Sequence, residues 1–297
     1  MLKKTIAMLA AAVLTTGLTA CSQTKDDAAD KPQAEVNTER VVVLNTGQLE
    51  NMLELGIVPV GTALAKGSKG IPQFVRDAYG GMGDLDAIKT VGGRDNPDIE
   101  AIAALKPTLI CANERMDESI RAQLAQIAPL ALGKGGGENW KNDFLTIAEA
   151  VNKKDEAEKK LNTFEEKAKQ LAGKWGNPAP TVNFLRTKGD AYEIFGAKSF
   201  AGTIAEAAQL QRPESGQFID KAGHPVSAEQ LASADADYLF YGVAVGGTNP
   251  STTPVWQTLS VVQRGHAVPV DYEAWYTNAS YLAAMNMLDG FEKHIIG

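Results

Sequence analysis

The chain has 297 residues, 44% of them apolar and 22% charged, with a formal net charge of −7. Such a length can bury two cored lobes, and the composition is that of an ordinary globular protein. The acidic balance, with no basic run beyond Lys3-Lys4, excludes non-specific nucleic-acid binding.

The N-terminus stands apart. MLKK is a basic start, and TIAMLAAAVLTTG is an apolar run of secretory-signal length, shorter than a membrane span. LTAC, ending at Cys21, precedes the polar stretch SQTKDDAADKPQAEVNTE. This order resembles a bacterial lipobox, which implies a signal peptide over 1–20, cleavage before Cys21 and acylation of its thiol. The alternative is an ordinary secretory signal with a chance cysteine. Residues 21–38 read as a lipidated tether, because so polar a stretch cannot bury enough apolar surface to fold. Cleavage takes Lys3 and Lys4 away and moves the side-chain charge from −7 to about −9. Cys111, in the run TLICA, is then left without a disulfide partner and reads as a small buried hydrophobe.

RVVVLN (40–45) is a β-branched run and reads as a buried strand. Thr46 can cap a helix with apolar positions Leu49, Met52, Leu53 and Leu55, which Gly56 ends. VPVG (58–61) starts another strand, a helix spans 98–105, and TLICA (108–112) and IAPLALG (127–133) are strands. GKGGG (133–137) reads as a flexible lead-in. From about Asn139 to Trp175 apolar residues keep helical spacing, with Asn152 to Asp155 as a point of possible breakage, and GNPAP then ends the pattern. TVNFLRT and AYEIFG are strands, SFAGTIAEAAQL a helix, SAEQLASADADYLFYGVAV a helix then a strand, HAVPVD a strand, and NASYLAAMNMLDGFEKHII a closing helix. The alternation predicts an α/β protein of two lobes, 39–137 and 177–297, with parallel-rich sheets and one long linking helix over 138–176.

The two lobes share an echo. In IEAIAALKPTLICA (99–112) and AEQLASADADYLFYG (228–242) a Glu opens a short helix, an aliphatic follows two places on, and a strand begins about nine places on. Glu100 and Glu229 hold matching positions. Routine helix capping by acids is the alternative origin of the match.

No local motif carries catalysis or metal binding. His224, His266 and His294 are isolated, and no zinc spacing, nucleophile elbow or P-loop is present, so neither an enzyme nor a metal site is expected. What remains is a set of side chains near strand ends: Arg94, Arg186, Tyr192, Tyr241, Trp275 and Tyr276. Ligands of open α/β sheets bind beyond the carboxyl ends of the strands. Arg offers a fixed donor fork and Trp and Tyr offer rigid faces with a polar tip. For each, a surface ion pair or a core aromatic is the alternative.

The lipobox, RVVVLNTGQLENMLELGIVPVG, VGGRDNPDIEAIAALKPTLICA, FAGTIAEAAQLQRPESG, VSAEQLASADADYLF and PVWQTLSVVQRGHAVPVDYEAWY occur in that order. Together they resemble the iron-siderophore substrate-binding lipoproteins of ABC importers, the group that includes ferrichrome- and vitamin B12-binding proteins. The resemblance implies a class III periplasmic-binding-protein-like fold, rigid between its lobes, with the ligand in the cleft between them. It places Arg94, in the VG-x-R-x-x-P turn, on the ligand. Arg186, Tyr192, Phe218, Tyr241 and the Trp275-Tyr276 segment are the further ligand-binding candidates. Glu100 and Glu229 match the acids that dock on the permease. The ligand implied is a ferric siderophore whose iron stays chelated by the siderophore, so no resident cofactor is needed. The implied partners are that ligand, an ABC permease and the cell membrane, reached through lipid on the extracytoplasmic face, with the protein itself a monomer. NTGQ (45–48) lacks an aromatic that some relatives carry, which leaves hydroxamate, catecholate and citrate-based ligands open. Haem, through an axial His224 or Tyr276, and vitamin B12 are the alternative ligands.

Overall fold

β-Branched runs and helical apolar spacing alternate along the chain, and the computed structural model, which describes residues 37–189 and 191–297, sorts them into two sheets. Cys21, the signal sequence and the tether up to residue 36 lie outside the described residues. The first part runs β1 (Val41–Val43), α1 (Thr46–Glu54), β2 (Gly61–Leu64), α2 (Gln73–Tyr79), β3 (Lys89–Gly93), β4 (Asn96–Pro97), α3 (Ile99–Ala104), β5 (Leu109–Asn113), α4 (Glu118–Ala125) and β6 (Leu130–Gly133). Among the described residues its strands form a six-stranded sheet in the order β4-β3-β2-β1-β5-β6. All neighbours are parallel except the β3–β4 hairpin.

Two helices follow, α5 (Trp140–Ala150) and α6 (Lys154–Ala172). The single linking helix expected over 138–176 is thus two. Asn152 takes a left-handed φ of 57°, and Lys153 N donates back to Ala148 O at 2.8 Å. Asparagine accepts this backbone region more readily than most side chains, so the break falls where the residue tolerates it. Trp140, Phe144 and Ile147 on α5, and Leu161, Phe164, Ala168 and Leu171 on α6, recur every three or four residues and are buried.

The second sheet is built from β7 (Val182–Lys188), β8 (Ala191–Phe195), α7 (Phe200–Ala207), β9 (Gly223–Val226), β10 (Tyr238–Gly242), α8 (Ser260–Gln263), β11 (Ala267–Pro269), α9 (Tyr272–Tyr276) and α10 (Tyr281–Phe291). Its order is β11-β10-β7-β8-β9. The first three strands are parallel, whereas β8 and β9 add antiparallel neighbours. Both sheets are therefore mixed, with a parallel centre.

One apolar cluster runs through both lobes, from Val41 and Leu49 through Phe144 and Phe164 to Phe184, Phe240 and Phe291. Trp140 meets Phe164 edge-on at 5.1 Å and Phe200 of the second lobe at 5.8 Å. Fully burying a large apolar side chain contributes about 1.5–3 kcal/mol. Opening the lobes apart would expose several such groups at once, which makes this pair of lobes stiff. Separate clusters pack on the outer face of each sheet, around Ile110 and Leu124 in one and Leu185 and Leu239 in the other. Cys111 lies fully buried in the shared cluster, and burial pushes its thiol up to about 12. No helix among the described residues is long and apolar enough to cross a membrane.

The echo between the lobes is a repeated structural unit. Glu100 is the second residue of α3, and Glu229 is the second residue of the 3-10 segment Ala228–Ala234. Two places on, Ile102 and Leu231 are fully buried. Nine places on, Leu109 begins β5 and Tyr238 begins β10.

Candidate ligand-binding cleft

Each parallel centre has a point where the chain reverses its direction of travel across the sheet. In the first sheet it lies between β1 and β5, in the second between β7 and β10. Ligands bind at such points because the loops diverge there and leave a crevice. A cleft of about 270 Å³ opens at this place, with Asn45 and Asn113 supplied by the ends of β1 and β5. Residues 275–279, from the end of α9 into the turn before α10, form part of its lining from the second lobe. The lobes approach closely around it. A Cβ on Gly137 would stand 2.4 Å from Phe200 N, and one on Gly47 would stand 2.9 Å from Ala279 O. Only glycine fits such backbone contacts.

Arg94 follows β3 and lines the cleft, half-buried. Among the described residues its guanidinium makes one hydrogen bond, a long one from Nη1 to Thr277 O at 3.4 Å across the lobes. Most of its donor fork is thus uncommitted. Trp275 and Tyr276 also line the cleft, but they sit on the short helix α9, capped by Asp271, rather than in a loop. Trp275 stacks on Phe240 at 5.0 Å, and the Tyr276 hydroxyl donates to Phe240 O at 2.6 Å.

Arg186 is not part of the cleft lining; its guanidinium lies over the ring of Phe195, a lining residue, at 4.8 Å. It donates through Nε and Nη2 to Glu193 Oε2 at 2.9 and 2.6 Å, and through Nη1 to Tyr276 O at 3.0 Å. Lys188 reaches the other oxygen of Glu193 at 2.8 Å. Burial opposes ionisation of Glu193, yet Lys188 and Arg186 together hold its carboxyl below the ordinary range. Arg186 therefore anchors the β7–β8 pair, in which it faces Glu193 directly.

Strand parity moves two expected residues out of the cleft. Tyr192 is 1% exposed and joins Leu185 and Ile194 in the outer core. Tyr241 packs edge-on against Trp256 at 4.9 Å in the same layer. Successive strand residues point to opposite faces, so Arg186 and Glu193 on the inner face force their neighbours outward. Phe218 stacks on His224 at 3.7 Å and covers Gly196, away from the cleft lining. His224 Nε2 is engaged by Asp220 at 3.0 Å. With Tyr276 bonded to backbone as well, neither residue is presented as an axial haem ligand. Among the described residues no cluster of His, Cys, Asp and Glu is placed to hold a metal ion.

Glu100 and Glu229 are both exposed. Asp98 caps the helix of the first, with Oδ1 accepting from Ala101 N at 2.9 Å. Ser227 caps the turn of the second and donates to Glu229 Oε2 at 2.7 Å, which holds that carboxyl below its usual value.

Several lining residues carry no local signal in the sequence. The Gly135–Gly137 loop is fixed rather than a free lead-in: Lys134 N and Gly135 N donate to the Asp143 carboxylate at 2.7 and 2.9 Å. Asp143, at the cleft, is half-buried, and that burial raises its carboxyl although the two amides oppose it. Asn278 lines the cleft from the second lobe. Cross-lobe bonds flank it: Ser68 Oγ donates to Glu273 Oε1 at 2.6 Å, and Tyr281 N donates to Asn51 Oδ1 at 3.2 Å.

Residues 41–267 match the model of the periplasmic binding protein family. A probable siderophore-binding lipoprotein, YfiY of Bacillus subtilis, is 31% identical over 278 residues, covering 88% of this chain and 83% of its own. A putative ABC transporter substrate-binding lipoprotein of the same organism, YhfQ, is 27% identical and covers 99% of this chain and 98% of its own. Among solved structures, Staphylococcus aureus SirA complexed with staphyloferrin B superposes with a TM-score of 0.74 at 22% identity, over 87% of this chain and 93% of that one. The likeness extends through both sheets and the helices between them, the class III arrangement. With the family match spanning most of both sheets, the chain belongs to the periplasmic binding protein family, whose members are substrate-binding carriers rather than enzymes.

Proposed function

We propose that this chain captures a ferric siderophore in the cleft between its lobes and delivers it to an ABC permease. The observation that carries the reading is Arg94: a half-buried guanidinium at the cleft with most of its fork uncommitted. Such a fork suits the oxygen-rich surface of a metal chelate. The names of the relatives YfiY and SirA point to the same ligand class. Iron stays held by the siderophore, and the protein binds the outside of the complex. His224 and Tyr276, both engaged, favour this over haem.

Lipid on Cys21 would tether the protein, as a monomer, to the extracytoplasmic face of the membrane. Glu100 and Glu229, exposed at matching places in the two lobes, would meet cationic sites on the permease. Trp275 lines the cleft and serves as a reporter. Its fluorescence will be quenched by at least one complex among ferric citrate, ferrioxamine B and ferric enterobactin. Failure of all three to bind below about 10 μM, near −7 kcal/mol, sinks the proposal. Glu100→Ala with Glu229→Ala will leave that affinity unchanged and abolish uptake of the radio-iron complex in cells. Loss of affinity in the double variant would contradict the division between cleft and docking acids.

A further inference from the structure

Five amide side chains line the cleft: Asn45, Gln48, Asn51, Asn113 and Asn278. Four of them are tied to backbone. Asn45 Oδ1 accepts from Gly47 N at 3.2 Å, and Asn113 Oδ1 accepts from Arg115 N at 3.0 Å. Gln48 is used at both ends, accepting from Leu44 N at 3.3 Å and donating to Ala112 O at 2.6 Å. Asn51 accepts from Tyr281 N. These side chains hold the ends of β1 and β5 and the start of α10 in place.

Asn278 differs. It is 3% exposed, and among the described residues neither its Oδ1 nor its Nδ2 has a hydrogen-bond partner. A buried amide left unpaired is costly, and folded proteins rarely keep one without a use. Its neighbour Thr277 offers its carbonyl to Arg94, so the unpaired amide and the largely uncommitted guanidinium belong to one corner of the cleft.

Resting on the siderophore reading above, we infer that Asn278 is a ligand-recognition residue, whose amide engages a donor and an acceptor on the organic shell of the ferric complex. Arg94 can only donate; Asn278 both donates and accepts. A ligand with an O–H or N–H beside its chelating oxygens satisfies the pair, and a shell of acceptors alone leaves Asn278 Oδ1 unpaired. Discrimination of this kind arises because a site built for a hydrogen bond rejects the analogue that lacks it.

The test uses the tightest binder among ferric citrate, ferrioxamine B and ferric enterobactin, with calorimetric affinities and melting temperatures for wild type, Asn278→Ala and Asn278→Asp. Asn278→Ala will weaken binding about 10- to 50-fold. Without ligand it will melt at or above the wild-type temperature, since an unpaired buried amide is removed. Asn278→Asp, which keeps the shape and the acceptor, will bind no better than Asn278→Ala. Affinity within about twofold of wild type in Asn278→Ala overturns the inference while leaving the siderophore reading intact. So does a lower melting temperature of the unliganded Asn278→Ala protein, which marks a structural amide. If wild type binds none of the three complexes, the siderophore reading fails and the inference goes with it.

Discussion

Arg94→Ala will weaken binding of the ferric complex by about 10- to 100-fold, roughly 1.5–3 kcal/mol, and leave the melting temperature of the unliganded protein unchanged. The expectation follows from how little else holds this guanidinium. Among the described residues its guanidinium has a single bond, to Thr277 O, 3.4 Å long, and no carboxylate pairs with it. Removing the side chain therefore strands no buried partner. Arg186 is the internal control. Its guanidinium satisfies Glu193, which is 5% exposed, and ties β7 to Tyr276 O. Arg186→Ala leaves that carboxylate with Lys188 alone and will lower the melting temperature, because breaking a buried pair is costly. Paired affinity and melting measurements on the two variants separate the roles. An Arg94→Ala protein that melts like Arg186→Ala and binds like wild type would reverse the assignment.

The contrast between the two arginines also marks how far the sequence can be read. Arg94 was legible because its turn is local: two glycines before it, Pro97 after it, and a capped helix beyond. Most strands were legible from their apolar runs, although β3, β4 and β9 were not, and Asn152 was legible only as a point where the linking helix could break. Arg186 was legible as a strand-end arginine but not as a pair with Glu193, because that depends on the register between β7 and β8. The same register decides that Tyr192 and Tyr241 point outward. A sequence shows which residues alternate, but which face meets the cleft is settled by the sheet they join. The Gly135–Gly137 loop and Asn278 were invisible for a related reason. Their partners, or lack of them, are set by contacts with Asp143, Phe200 and the opposite lobe, and no local spacing encodes these.

Glu50→Gln will raise the melting temperature at pH 7.5 by about 3 °C or more, the shift that roughly 1 kcal/mol produces in a chain of this size, and will change it little at pH 4. Glu50 lies on α1, two places after Gln48 and beside Asn51, and is fully buried with no ion pair among the described residues. Burial pushes its pKa well above the ordinary carboxylate range; the Ser280 hydroxyl offsets part of this and the Glu273 charge adds to it. In the unfolded chain a glutamate titrates near 4.3. Above that value the unfolded state sheds a proton that the native state keeps, so the unfolded state binds fewer protons and stability falls as pH rises. The loss is about 1.4 kcal/mol per pH unit until the folded pKa is reached. Below pH 4 both states are protonated and the penalty is absent. Glutamine keeps the shape of the neutral acid without the titration, so its advantage must grow from pH 4 upward. The acid also matters to the cleft. Ionised, it would place a negative charge one helical turn from residues that line the site; neutral, it leaves the Arg94 corner attractive to an anionic chelate. A Glu50→Gln protein that melts lower than wild type, and more so at pH 7.5 than at pH 4, would show that Glu50 is charged and paired, and would contradict this account of the seam between the lobes.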